Sequence, residues 1–69
     1  MRFTCQFEHQ DTGDCKTILS ALSAEEVRSV KAMTKDADLI AQAMALRHAY
    51  SEVPTGFRHT EPPKQIHLS

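Results

Sequence analysis

The 69-residue chain has no tryptophan, only two glycines and only two cysteines. Two glycines cannot supply a glycine-rich phosphate-binding loop, and two cysteines cannot supply the disulfide framework of a small secreted domain. Eight lysines and arginines against nine aspartates and glutamates leave a net charge of -1. The chain therefore has no overall basic field that would attract nucleic acid or anionic lipid.

Long apolar segments are also missing from the sequence. No apolar run approaches the roughly 18 residues that span a bilayer. The N-terminal residues turn polar too soon to form the apolar stretch of a signal peptide. We therefore expect a single small domain, residues 1–69, in the cytoplasm, where both thiols stay reduced.

The N-terminal residues alternate between apolar and polar side chains. Phe3, Cys5 and Phe7 fall on one side of an extended chain and polar residues fall on the other. This period of two is typical of a half-buried strand. A turn-forming segment and a second stretch follow, so the pattern predicts an antiparallel hairpin with strands at about 2–9 and 14–22.

The register of this hairpin depends on its loop. A three-residue loop, Asp11–Gly13, whose glycine is left-handed in a G1 bulge, is a common closure. It pairs His9 with Cys15 and places Leu19 on the face of the aromatic residues, whereas a slip of one residue would bring Ser20 there. The two cysteines are then roughly 13 Å apart along the ladder, which excludes a disulfide within the chain.

A capping box marks the start of a helical region. Ser23 and Glu26 have the required spacing, and Leu22 and Val27 are placed for a hydrophobic staple. The polar segment Thr34–Asp38 can end one helix and cap another. One helix, or two of about 10 and 15 residues, fits the region of about 24–51, and we favour two.

Residues 39–46 are the most apolar stretch of the chain, with Gln42 as its single polar residue. At helical spacing they extend into two adjacent stripes, one of Leu39, Ala43, Leu46 and Tyr50 and one of Ile40 and Met44 with the alanines at 37 and 41. A helix apolar over more than half its circumference is buried on more than one side, and a two-stranded hairpin covers only one. Either the tail or a second copy covers the rest, and we expect a two-fold homodimer.

The segment of about 53–69 is expected to be an extended tail, because Pro54 ends the helix and two more prolines follow at 62 and 63. Phe57 is expected to dock on the domain, and residues 65–68 to add an edge strand or to fray. The predicted fold is α+β, with the hairpin at about 2–22, the helical region at about 24–51 and this tail. The predicted core is Phe3, Cys5, Phe7, Leu19, Leu22, Val27, Val30, Leu39, Ile40, Ala43, Leu46 and Tyr50.

Candidate chemistry is sparse. The four histidines, at 9, 48, 59 and 67, lack the close spacing of a metal motif. Cys15, His9 and Asp14 include the residue types of a nucleophilic site, but a hairpin tip offers neither a pocket nor an oxyanion hole. We therefore predict no enzyme, no cofactor and no metal, with a histidine-based metal site as one alternative.

Charge is uneven along the chain, since residues 47–69 carry three basic and two acidic groups. Basic residues around aromatic ones are typical of single-stranded nucleic-acid binding, but three cations neutralise few phosphates. The sequence predicts a small soluble protein-interaction module that dimerises through the helix 37–50, with weak nucleic-acid binding as the other alternative. The predicted interaction residues are Ile40, Ala43, Met44, Arg47, Tyr50, Phe57 and Arg58.

Overall fold

The computed structural model describes residues 1–66, which contain four strands and two helices. The strands are β1 (Arg2–His9), β2 (Cys15–Ala21), β3 (Phe57–His59) and β4 (Lys64–Ile66), and the helices are α1 (Ala24–Met33) and α2 (Ala37–Tyr50). β1 is central, because β2 pairs with one of its edges while β3 and β4 pair with the other, all antiparallel. The predicted α+β class is confirmed, with two more strands than the hairpin.

Both helices form where the sequence predicts them. Ser23 Oγ accepts a hydrogen bond from the Glu26 N–H at 3.1 Å, and Glu26 Oε1 accepts one from the Ser23 N–H at 3.0 Å. The chain becomes extended at Thr34, and α2 begins after Asp36, whose carbonyl accepts the first N–H groups of the new helix. The two-helix alternative is therefore confirmed, with 10 and 14 residues.

The hairpin register is one residue away from the predicted one. The His9 N–H donates to the Asp14 carbonyl at 2.8 Å, so the loop has four residues, 10–13. His9 Nδ1 also accepts hydrogen bonds from the N–H groups of Asp11 and Thr12, at 3.1 and 3.3 Å. The imidazole thereby provides an acceptor for two N–H groups of the loop. The turn starts one residue earlier than the turn of a three-residue loop. Gly13 is left-handed as predicted, with φ 75°.

This shift turns β2 over relative to the prediction. Leu19, predicted to be in the core, points away from the helices and is 70 % exposed. Ser20 is buried instead, and its hydroxyl donates to the Ala45 carbonyl at 2.8 Å. Ile18 packs beside it against the core. A buried hydroxyl is stable here because α2 supplies an acceptor.

The core lies between the sheet and α2. Phe3 and Phe7 project from β1, and Ala41, Ala45 and Ala49 line the facing side of α2, all of them at most 2 % exposed. Alanines four residues apart let the helix lie close to the sheet, where the aromatic rings fill the remaining space. The face of α2 that contacts the sheet is thus the face with the smallest side chains.

The predicted core is correct for the sheet and partly wrong for α2. The stripe chosen from the sequence consists of the larger side chains, but the rings of β1 leave room only for alanine. Of the predicted residues, Phe3, Cys5, Phe7, Leu22 and Val30 are buried, Val27, Ile40 and Leu46 are half-buried, and Leu19, Leu39, Ala43 and Tyr50 are exposed.

The tail forms the second edge of the sheet. Phe57 docks as predicted, half-buried against the cluster of Cys5, Phe7 and Ala49. The Thr60 N–H donates to the Gln6 carbonyl at 3.0 Å, which ties down the segment between β3 and β4. The predicted edge strand is present at Lys64–Ile66, and the rest of it lies outside the described residues. Within residues 1–66, neither helix is long and apolar enough to cross a membrane.

Candidate interaction surface

Helix α2 has three sides with different environments. The alanine side packs on the sheet, and a second side carries Ile40 and Met44, which are half-buried. Met44 packs against the buried cluster of Phe3, Leu22, Ala41 and Ala45. The third side, which we call the outward face, consists of Leu39, Ala43, Arg47 and Tyr50, all of them exposed. Only this third side is free to contact another molecule.

A groove of about 350 Å³ runs between the outward face and the tail. Leu39, Ala43 and Leu46 line it on the helix side, and Pro62 and Pro63 line it on the tail side. Leu39 is 66 % exposed. The tail thus lies alongside α2 without closing over its apolar residues.

Tyr50 fastens the tail to the helix. Its hydroxyl lies 2.6 Å from His59 Nδ1 and accepts a hydrogen bond from the His59 N–H at 3.1 Å. The Tyr50 ring also meets Phe7 edge to face, with centroids 5.0 Å apart. Tyr50 is therefore as much a tail anchor as a surface residue.

A second aromatic contact lies at the hairpin end of the sheet. The rings of His9 and Phe57 meet edge to face with centroids 5.0 Å apart, and Lys16 Nζ lies 5.6 Å from the centroid of Phe57. Gly56 adopts φ 101°, and a Cβ atom there would lie 2.6 Å from His9 Nε2. His9 therefore supports both the hairpin loop and the start of β3.

Two nitrogen-bearing side chains of the C-terminal third contact glutamates. His48 Nε2 lies 3.0 Å from Glu26 Oε2, which joins α1 to α2. The pKa of Glu26 is lowered from its usual value, first by the hydrogen bond from the Ser23 N–H and then by the one from His48. Lys64 lies 3.8 Å from Glu61. Arg58 lies opposite Glu8 on the neighbouring strand.

The hairpin tip does not assemble the nucleophilic trio considered from the sequence. Cys15 lies opposite Glu8 rather than His9, and its Sγ contacts the Gly13 carbonyl at 3.7 Å. Cys5 and Cys15 are both free, as expected, and burial raises the pKa of the Cys5 thiol. Within residues 1–66, no three His, Cys, Asp or Glu side chains are placed to hold a metal ion.

Comparisons with models of protein families, with curated proteins and with solved structures found no match to this chain. The geometry alone therefore sorts the seven residues predicted for interaction. Ala43, Arg47 and Tyr50 lie together on the outward face, Ile40 and Met44 lie on its half-buried flank, and Phe57 and Arg58 lie on β3, half-buried and exposed respectively.

A further surface is the outer edge of β2; the sequence predicted exposed strand edges but assigned none of their residues to an interface. Within residues 1–66, β2 pairs with β1 alone. Its outer side chains Cys15, Thr17, Leu19 and Ala21 are all exposed. In the predicted register Leu19 lies in the core, so its exposure on this strand was not expected. The absence of charge and proline from residues 17–21 is the signal that would have revealed this edge.

Proposed function

We propose that this protein is a non-enzymatic protein-interaction module that works as a homodimer. The observation that carries the proposal is the open outward face of α2. From the sequence we expected either the tail or a second copy of the chain to cover this helix. Among residues 1–66, where the tail forms β3 and β4, Leu39 is still 66 % exposed and the groove beside it stays open. This open face favours a second polypeptide as its cover.

The outward face has the features of a helix-binding surface. Leu39 and Ala43 lie one helical turn apart, the spacing with which a groove reads an amphipathic helix, and the half-buried Leu46 lines the groove beside them. Ala43, in the middle, lets a partner backbone approach closely, and Arg47 beside it favours an acidic residue on the partner. The proposed contact surface is thus narrower than the predicted one, since Ile40 and Met44 pack within the chain.

Nucleic-acid binding has less support from this geometry. Single-stranded nucleic acid needs free aromatic faces and several free cations. Phe57 is half-buried, Tyr50 contacts the rings of Phe7 and His59, and both His48 and Lys64 lie beside glutamates. These engagements favour the interaction module over this alternative.

The deciding experiment is the absolute mass in solution by light scattering on a sizing column, over a range of protein concentrations. We expect a mass of twice 7.7 kDa, which falls toward the mass of one chain only on dilution. A mass of one chain at every concentration would contradict the homodimer.

A further inference from the structure

The geometry points to the outer edge of β2 as the seam of the homodimer, so that two chains join their sheets into one continuous sheet. This inference rests on the homodimer proposed above and names the surface that forms it. It moves the interface between the two copies from α2 to β2, so that the outward face of α2 is left for a different polypeptide.

The two edges of the sheet are protected very differently. The edge formed by the tail is interrupted between His59 and Lys64, contains Pro62 and Pro63, and has the His59 N–H bonded to Tyr50. β2 is one unbroken strand of seven residues without proline, and Lys16 is its only charge. Proteins normally shorten, interrupt or charge an edge that must stay unpaired. Apart from one lysine, β2 has none of these protections. This indicates that its outer edge pairs with another strand.

The direction of the backbone groups in β2 follows from its two ends. The His9 N–H bonds to the Asp14 carbonyl at one end, and the Leu22 N–H bonds to the Met1 carbonyl at the other. In an antiparallel ladder the bonded residues alternate. The even-numbered residues of β2 therefore bond to β1, and the N–H and carbonyl groups of Cys15, Thr17, Leu19 and Ala21 point to the free edge.

One register pairs all of these groups. If a two-fold axis passes through Ile18, Thr17 lies opposite Leu19 of the second copy and Cys15 lies opposite Ala21. Every outward residue then faces another outward residue, so each such pair exchanges two hydrogen bonds. An axis at another position along β2 leaves part of the strand unpaired. The strand is therefore complementary to itself over its full length.

The side chains also match in this register. Lys16 lies opposite Ser20 of the second copy, so the two lysines do not face each other. On the outer side of the joined sheet, Leu19 of each copy lies next to Thr17 of the other. The two leucines are diagonal neighbours, about 7–8 Å apart, a separation that long side chains bridge. Pairing thus covers a leucine that is 70 % exposed in the single chain.

The seam leaves the outward face of α2 accessible. The groove beside that face is walled by residues 59–63 of the tail, and the tail forms the sheet edge opposite β2. A dimer joined at β2 therefore carries two such grooves, one at each end of the continuous sheet. The seam and the partner-binding surface do not compete for the same residues.

The test compares substitutions on the two surfaces by sedimentation equilibrium. Thr17→Pro removes an outward N–H that bonds to no group among residues 1–66, while Thr17→Val keeps that N–H and loses only the hydroxyl contact to Gln6. Leu19→Lys charges the edge, and Ala43→Arg charges the outward face of α2. We expect Thr17→Pro and Leu19→Lys to weaken dimerisation by an order of magnitude or more. Thr17→Val and Ala43→Arg should leave it within about threefold.

A disulfide trap gives a positive test that does not depend on weakening the fold. Bonded antiparallel pairs have Cα atoms about 5.5 Å apart, within the range of a disulfide. Ala21→Cys, oxidised with glutathione disulfide, should therefore form a covalent dimer with Cys15 of the other copy. The same variant with Cys15→Ser should give no such bond between these positions.

The outcomes separate the inference from the proposed function. A wild-type monomer at all concentrations refutes both. A dimer that Ala43→Arg dissociates while Thr17→Pro and Leu19→Lys leave it intact places the seam on α2 and overturns the inference alone. Circular dichroism of each variant must match the wild type, and for a variant that does not fold the disulfide trap decides.

Discussion

Replacing an alanine on each side of α2 by leucine tests the core directly. Ala45 is fully buried beneath Phe3, and Ala43, two residues away, is exposed on the outward face. Both substitutions add the same three carbon atoms to the same helix, and leucine is nearly as good a helix former as alanine. Any difference in stability between the two variants therefore reports packing rather than helix propensity.

The expected magnitudes follow from the space around each position. Leucine at position 45 must displace the Phe3 ring or move the helix off the sheet, and overpacking of this kind costs about 1–3 kcal/mol. Lifting α2 also stretches the 2.8 Å hydrogen bond from Ser20 to the Ala45 carbonyl. Leucine at position 43 enters solvent beside the groove, where surface changes stay within about 0.5 kcal/mol.

Urea unfolding followed by circular dichroism, at one protein concentration for all variants, measures these differences. The midpoint should fall for Ala45→Leu and stay near the wild-type value for Ala43→Leu, with the slope unchanged. Heating should show the same order, because 1 kcal/mol shifts the melting temperature of so small a domain by about 4–8 °C. A destabilised Ala43→Leu with an unaffected Ala45→Leu would refute the assigned helix face and favour the stripe predicted from the sequence.

Two further predictions concern the α1 cap and the start of β3. The pKa of Glu26 is lowered in the folded chain, so its carboxylate adds stability above the usual value of 4.5 and loses it as the pH falls through the lowered pKa. Glu26→Gln should thus be less stable than the wild type at pH 7 in urea unfolding, with the difference shrinking below that value; a constant difference would exclude the linkage. Gly56→Ala meets an imidazole within 2.6 Å, whereas Gly13→Ala meets open space at a similarly positive φ. The first should lower the melting temperature more than the second, which bears only the backbone cost of about 1–2 kcal/mol, and equal losses would contradict the packing at Gly56.

The parts of the fold that the sequence predicted rest on local chemistry. The capping box needs only Ser23 and Glu26 at the right spacing, and the interruption at Thr34–Asp38 needs only polar residues that compete with helical hydrogen bonds. The alternation of Phe3, Cys5 and Phe7 fixes which side of β1 is buried, whatever strand lies next to it. All three predictions are confirmed, because each depends on residues close together in the chain.

The inward face of α2 was not predictable in this way. Periodicity ranks faces by apolar content, and by that measure the stripe of Leu39, Ala43 and Leu46 exceeds the alanine face. Which face of α2 turns inward depends on the side chains of the sheet opposite it, and two phenylalanines of β1 fill that space. Complementary volumes, large against small, decide the packing of α2, and this information lies some 40 residues away in the sequence.

The hairpin register shows how one side chain changes the surface of the whole domain. His9 Nδ1 accepts two loop N–H groups, and the loop therefore has four residues instead of three. Because strand side chains alternate with a period of two, this single residue moves Ser20 inward and Leu19 outward. From the sequence the histidines were interpreted as surface or capping residues, and the two N–H groups that His9 accepts were not foreseen.

The same shift determines which side chains stand on the outer side of the edge strand that we assign to dimerisation. In the predicted register Leu19 would contribute to the core, and Ile18 would stand on the outer side of β2 between Lys16 and Ser20. In the observed register the leucine stands on the outer side of an unprotected edge strand, next to Thr17 in the two-fold pairing. The hydrogen bond from Ser20 to α2 holds β2 in this orientation. The exposed leucine thus originates in the loop at His9, and it lies on an unprotected edge strand of the kind that pairs readily with a second strand.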